Sequence, residues 1–127
     1  MKKICIYARV STQSQDYQRQ LSELREYATR MNYEVVKEFS EKISGAKAIA
    51  ERQALTELLD YAAANRIDKV LVYECSRISR RAIDFLQVIE QLTQMKVSVY
   101  ILQNGLETLM ADGSVNPIAQ LVLGIIG

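Results

Sequence analysis

The feature that most constrains this chain is the switching of its hydrophobic period along the sequence. Lys3 to Val10 is an apolar, β-branched run that reads as a strand. Tyr17, Leu21, Leu24, Ala28 and Met31 then recur at helical spacing, which predicts an amphipathic helix over about residues 14–31. Tyr33 to Phe39 reads as a second strand, followed by Ser40 to Lys47, a polar loop containing Gly45 and expected to be mobile. Leu55, Leu58, Leu59 and Ala62 share the face of the next helix. Lys69 to Glu74 is almost continuously apolar, as a strand covered on both faces must be. Ala82, Phe85, Leu86, Ile89 and Leu92 mark another helix, and Val97 to Leu102 a fourth strand. Strands that alternate with helices are joined by right-handed crossovers, so the expected fold is α/β: a mostly parallel central sheet with helices on both faces.

After Asp112-Gly113, Ser114 reads as an N-cap and Pro117 as a first-turn residue of a last helix. That helix would contain Ile118, Ala119, Leu121, Val122, Leu123, Ile125 and Ile126, and is apolar nearly all round. Such a helix is either buried or meets a partner subunit. Its abrupt end at Gly127 suggests a piece of a longer protein, and residues 1–127 read as a single domain.

Several chemistries are narrowed by what the chain contains. There is no histidine, which removes the commonest general base and metal ligand, and no metal-ligand spacing, so no metal and no cofactor is expected. Cys5 and Cys75 lie in apolar segments and read as two reduced core thiols. No stretch approaches a membrane span and the N-terminus lacks a signal-peptide pattern, so a soluble, cytoplasmic protein is expected. The formal charge is only +1, which by itself argues against a stand-alone DNA-binding module. Yet the cations are unevenly spread: Arg66, Lys69, Arg77, Arg80 and Arg81 crowd residues 61–81, and Lys96 is the only cation after them.

In an open parallel sheet, ligands bind beyond the carboxyl ends of the strands. The first strand leaves through Tyr7-Ala8-Arg9-Val10-Ser11-Thr12, and the third through Glu74-Cys75-Ser76-Arg77-Ile78-Ser79-Arg80-Arg81. Arg9 ends a strand that should be central and buried, so its charge needs a partner or a ligand. Arg80 and Arg81 are expected in the first turn of a helix, where the macrodipole disfavours cations by about 0.3–1 kcal/mol each. They are either plain solvated charges or the ligands of an anion seated on that helix start. A serine such as Ser11, considered alone, is more often a turn or helix-capping residue than a nucleophile.

Together these residues resemble the resolvase/invertase family of serine site-specific recombinases. Tyr7 to Thr12 is similar to that family's nucleophile motif and Ser76-Arg77-Ile78-Ser79-Arg80 to its second arginine motif, while Gln18 and Arg52 match two further positions. The resemblance covers essentially the whole chain. It implies a catalytic domain in which Ser11 is the nucleophile and forms a covalent phosphoserine with DNA, without metal or ATP. Arg9, Arg77 and Arg80 would be phosphate and transition-state ligands, Arg52 an additional phosphate ligand, Gln18 a positioning residue, and Tyr7, Ser76 and Arg81 supporting residues. It further implies a double-stranded DNA crossover site as substrate, a homodimer that becomes a synaptic tetramer, and a bacterial or mobile-element source. The far end of the long helix and a separate DNA-binding domain would lie outside these residues.

One departure stands out. Many relatives carry an aspartate just before the second-motif arginine, and here Ser76 occupies that position. Two other readings compete: a recombinase-like interaction domain without activity, and a cysteine phosphatase, since Cys75 and Arg81 have the spacing of a cysteine phosphate loop. Against the latter, Ser76 to Arg80 contains no glycine to let backbone amides wrap a phosphate.

Overall fold

A computed structural model of the chain describes residues 1–10, 14–43, 51–78 and 81–124. Its elements are β1 (Lys3–Val10), α1 (Ser14–Arg30), β2 (Glu34–Lys42), α2 (Gln53–Ala64), β3 (Lys69–Val72), α3 (Cys75–Ile78), α4 (Ala82–Gln94), β4 (Ser98–Ile101), β5 (Leu106–Glu107) and α5 (Pro117–Leu123). The strands form one sheet in the order β2-β1-β3-β4-β5. All neighbours are parallel except β5, which runs antiparallel to β4. The α/β fold expected from the alternation is the fold observed.

Strand parity explains how both faces are covered. Cys5, Tyr7, Val70, Val72, Val99 and Ile101 point to one side and pack with Leu55 and Leu58 of α2 and Phe85, Val88, Ile89 and Leu92 of α4. Ile4, Ile6, Ala8 and Leu71 point to the other and pack with Leu21, Leu24 and Ala28 of α1. Each fully buried Leu or Ile of this kind contributes about 1.5–3 kcal/mol. Cys5 is a buried free thiol, and burial pushes its pKa up to about 11, so it stays protonated and inert.

Some boundaries differ from the sequence expectation. β2 continues past Phe39 to Lys42, because β1 pairs with it as far as Val10 and carries Ser40, Glu41 and Lys42 into the ladder. β3 stops at Val72 rather than Glu74, and a separate turn of helix, α3, starts at Cys75. Arg81 is not in the first turn of α4: it is the N-cap, in extended conformation, and the first turn carries Asp84, the acid that a helix start favours. The cap of α5 is Asn116, whose side chain accepts from the Ile118 N–H at 3.0 Å, whereas Ser114 belongs to the preceding turn and donates to Asp112 at 2.6 Å. α5 closes at Gly124, whose φ of 73° suits a residue without a Cβ. Ile118, Leu121 and Val122 on α5 are exposed while Ala119 is buried and Leu123 packs against the core, so within one chain only one side of this helix is covered. Residues 44–47 of the expected loop, and Ile125 and Ile126 of the expected last helix, lie outside the described residues.

The amino end of the sheet is closed by a buried ion pair. Lys69, at the start of β3, places its Nζ 2.8 Å from Glu107 and donates to the Tyr33 hydroxyl at 2.9 Å. Its ammonium also lies 4.9 Å from the Tyr33 ring centre and 5.9 Å from that of Tyr100, and Tyr100 stacks on Tyr27 at 4.6 Å. Burial disfavours the charge, but the hydrogen bonds to Glu107 and Tyr33 outweigh it and hold the Lys69 pKa above its ordinary value.

Candidate active site at the carboxyl ends of the strands

At the opposite end of the sheet, β1 delivers Arg9 into the protein with no exposed surface. A buried guanidinium must fill its donors, and Arg9 does so on main-chain oxygens. Its Nη2 donates to the Ser76 carbonyl at 2.6 Å, its Nε to the Arg77 carbonyl at 3.2 Å and its Nη1 to the Ile43 carbonyl at 2.9 Å. Arg52, the N-cap of α2, is likewise fully buried. It donates to the Arg77 carbonyl at 2.8 Å, to the Ile78 carbonyl and to the Tyr7 hydroxyl. The carbonyls of α3 are thus held from beneath by two arginines of distant elements.

Carbonyl dipoles solvate a cation without cancelling its charge. Among the described residues, Glu41 of β2 brings a carboxylate beneath the turn, with its Oε2 3.7 Å from the Arg52 Nε. Glu41 also accepts from the Tyr7 hydroxyl at 2.6 Å and from the Ala54 and Leu55 N–H groups at 3.1 and 3.2 Å, so it caps α2 where Arg52's own side chain does not. A carboxylate on free helix N–H groups is stabilised by about 0.3–1 kcal/mol or more when partly buried. Burial, foremost, pushes the Tyr7 pKa well above its ordinary value although Arg52 pulls the other way, so Tyr7 is a neutral phenol that donates to Glu41.

Above the turn, the side chains of α3 meet a second carboxylate. Glu74 Oε1 accepts from Ser76 Oγ at 2.7 Å and lies 3.3 Å from Arg77 Nη2. Arg81 pairs with Asp84, Nε to Oδ2 at 3.3 Å. The structure therefore brings Tyr7, Arg9, Arg52, Ser76 and Arg77 together from β1, α2 and α3. Gln18 is exposed on α1, and the buried glutamine of that helix is Gln20, whose Nε2 donates to the Arg9 carbonyl at 3.3 Å. Ser11 and Arg80 lie outside the described residues.

A family model described as the resolvase N-terminal domain matches residues 4–127. The chain belongs to the resolvase family. This resolvase domain is 31% identical over 121 residues to the Transposon Tn501 resolvase of Pseudomonas aeruginosa, covering 95% of the chain and 56% of that protein. It is 30% identical over 105 residues to the serine recombinase PinR of Escherichia coli K12, covering 83% and 52%. The chain thus spans about half the length of the curated relatives it matches. Among solved structures, the N-terminal catalytic domain of TP901-1 integrase superposes with a TM-score of 0.83 at 31% identity, covering 97% of this chain and 92% of that one.

Of the phosphate-loop spacing from Cys75 to Arg81, the structure of this resolvase domain describes residues 75–78 and Arg81. Residues 75–78 wind into α3, the Arg77 N–H turns back onto the Glu74 carbonyl at 3.1 Å, and the carbonyls of 76–78 are taken by Arg9 and Arg52. The Cys75 side chain lies outside the described residues. Among the described residues, no group of three or more His, Cys, Asp or Glu is arranged to hold a metal ion, and no helix is long and apolar enough to cross a membrane.

Two residues of the site escaped the sequence reading, and each carried a signal. Glu41 is two residues beyond the buried Phe39 and so shares its inward face of β2, a carboxylate aimed at the core. Gln20 falls among Tyr17, Leu21 and Leu24 on the stripe that α1 turns to the sheet.

Proposed function

We propose that this chain carries out site-specific DNA recombination, with Ser11 attacking a DNA phosphodiester. The Ser11 oxygen bonds to phosphorus, its proton leaves, and the displaced deoxyribose oxygen takes up a proton. Reversal of the same step by an incoming strand rejoins the DNA, so the bond energy is kept in the phosphoserine and neither ATP nor a metal is needed. Arg77 and Arg80 bind the non-bridging oxygens, Arg9 and Arg52 supply the buried positive field behind them, and Tyr7, Gln18, Ser76 and Arg81 support this arrangement. For Arg9 or Arg52 to touch the phosphate directly, one of their carbonyl bonds must be exchanged for it.

The observation that carries the reading is the pair of fully buried guanidiniums at the carboxyl ends of the strands, solvated by carbonyls and next to the segment where Ser11 follows β1. Membership of the resolvase family and the relatives' transposon origin support the same reading. The partner at α5 is a second copy of the chain, as the exposed Ile118, Leu121 and Val122 would suit, in a dimer that becomes a synaptic tetramer on double-stranded DNA.

The test uses the full chain and a supercoiled plasmid carrying the DNA that borders its gene. Wild type and Cys75→Ser should form a protein–DNA adduct that survives denaturation, and Ser11→Ala should form none. An adduct made by Ser11→Ala overturns the assignment of the nucleophile, and phosphatase activity dependent on Cys75 overturns the reaction class.

A further inference from the structure

The turn that carries Arg77 is gripped twice. From beneath, Arg9 and Arg52 fix the carbonyls of Ser76, Arg77 and Ile78, which sets the backbone. A fixed backbone still leaves a long arginine side chain with several rotatable bonds and many rotamers. The second grip acts on the side chains, through one carboxylate oxygen: Glu74 Oε1 accepts from Ser76 Oγ at 2.7 Å and lies 3.3 Å from Arg77 Nη2.

The two contacts play different parts. The serine hydroxyl is neutral and cannot by itself orient a cation, but by donating to Oε1 it sets where the Glu74 carboxylate sits. The carboxylate then draws one edge of the Arg77 guanidinium toward it. A guanidinium is a rigid planar fork of five N–H donors, so fixing the direction of one edge fixes the direction of the others. The side chains are 16% and 30% exposed for Arg77 and Glu74, so the pair sits at the rim, dry enough to hold an orientation and open enough to meet a ligand.

We propose that Glu74 is the positioning residue for Arg77, acting directly through the ion pair and indirectly through Ser76. This rests on the reading of Arg77 as a phosphate ligand. It accounts for the serine at position 76: the orienting carboxylate comes from the β3–α3 connection, two residues upstream, and the serine relays its placement. The competing account is an ordinary i,i+3 surface pair, which contributes little to anything.

The test compares Glu74→Gln, Ser76→Asp and the double variant in the full chain, with two readouts. One is the rate of covalent adduct formation on the plasmid described above. The other is the Nε–H resonance of Arg77 in a guanidinium-selective NMR spectrum, which reports orientation whether or not DNA is cut. Glu74→Gln should slow adduct formation by about 10- to 100-fold, as misplacement of a reacting group does, with unchanged DNA affinity and melting temperature, and should broaden or move the Arg77 signal. The double variant, which puts a carboxylate next to Arg77 by the other route, should recover most of the rate and the signal. An unmoved Arg77 signal and a rate within about twofold of wild type would overturn the proposal, since a merely surface pair has that signature. So would loss in Glu74→Gln that the double variant fails to recover. Absence of any adduct from wild type, with the Arg77 signal still dependent on Glu74, would instead overturn the recombinase reading and leave the positioning contact standing.

Discussion

The two ends of one sheet bury cations in opposite ways. At the amino end, Lys69 is 4% exposed and meets a full countercharge, Glu107 at 2.8 Å, with the Tyr33 hydroxyl and two aromatic rings around it. At the carboxyl end, Arg9 and Arg52 are fully buried and are solvated chiefly by carbonyl oxygens, with Glu41 no nearer than 3.7 Å to Arg52. The first arrangement gives its cation a full countercharge. The second places its arginine donors largely on main-chain oxygens, at the end of the sheet where parallel sheets bind ligands. The shape of the fold alone does not distinguish a structural end from a functional one. The oxygens facing the cations are where the two ends differ.

The largest effect that would break this comparison is expected at Arg52. Arg52→Met should cost about 3–5 kcal/mol in chemical denaturation, because the Tyr7 hydroxyl, two carbonyls and the Glu41 carboxylate lose their shared donor. It should also reduce adduct formation by about 100-fold or more. Retention of both fold and strand breakage would mean that the carbonyl-solvated charge is dispensable.

Glu107→Gln probes the other end. Removing the countercharge of a buried lysine should destabilise by about 2 kcal/mol, less than a fully buried pair because Glu107 is 31% exposed. Adduct formation at the temperature where both proteins are folded should be unchanged, and a fall there would show that the two ends are coupled.

Alkaline pH gives a third, smaller discrimination. The folded pKa of Lys69 is raised, so its contribution is fully present below the unfolded lysine pKa of about 10.4 and is lost as pH rises through the higher folded value. The difference in melting temperature between wild type and Lys69→Met should therefore stay constant through the neutral range and change only above about pH 10. A change centred near neutrality would mean that another group is titrating.

The exposed pair Arg25–Glu38, at 2.7 Å, serves as the control for charge that neither closes a core nor serves a site. Arg25→Ala should cost at most about 0.5 kcal/mol. The Arg25 hydrogen bonds lower the Glu38 pKa, so this contribution exists above the carboxylate range and disappears as pH falls through it. Urea midpoints at pH 7 and pH 3 measure it.

The parts of the molecule written in the sequence are those with a period. β1, α1, α2, α4 and β4 each bury a face, and their apolar spacing announces it. The polar end of β2 has no such signal: it lies on an edge strand, and only pairing with β1 carries it to Lys42. β5 is two residues long, entered through the left-handed Gly105, and is too short for any period to show. The choice between Ser114 and Asn116 as a cap was between two suitable residues, decided by a second bond from Asn116 Nδ2 to the Glu107 carbonyl at 2.8 Å. The same holds in the site. Motifs pointed to Arg9, Arg52 and Arg77, but the oxygens that hold them come from residues up to 68 positions away, and a local pattern cannot contain such a partner.

That distance sets an order of events during synthesis. Arg9 emerges early, whereas the Ser76 and Arg77 carbonyls it binds follow 67 and 68 residues later. At roughly 5 to 20 residues per second, the nascent chain spends several seconds with Arg9 made but the α3 carbonyls that seat it still to come. β1 also lacks its inner neighbour until β3 has been made. A half-made chain therefore carries β1 without the α3 carbonyls that seat Arg9, and the carboxyl end of the sheet takes its form only when the middle of the sequence has folded around the beginning.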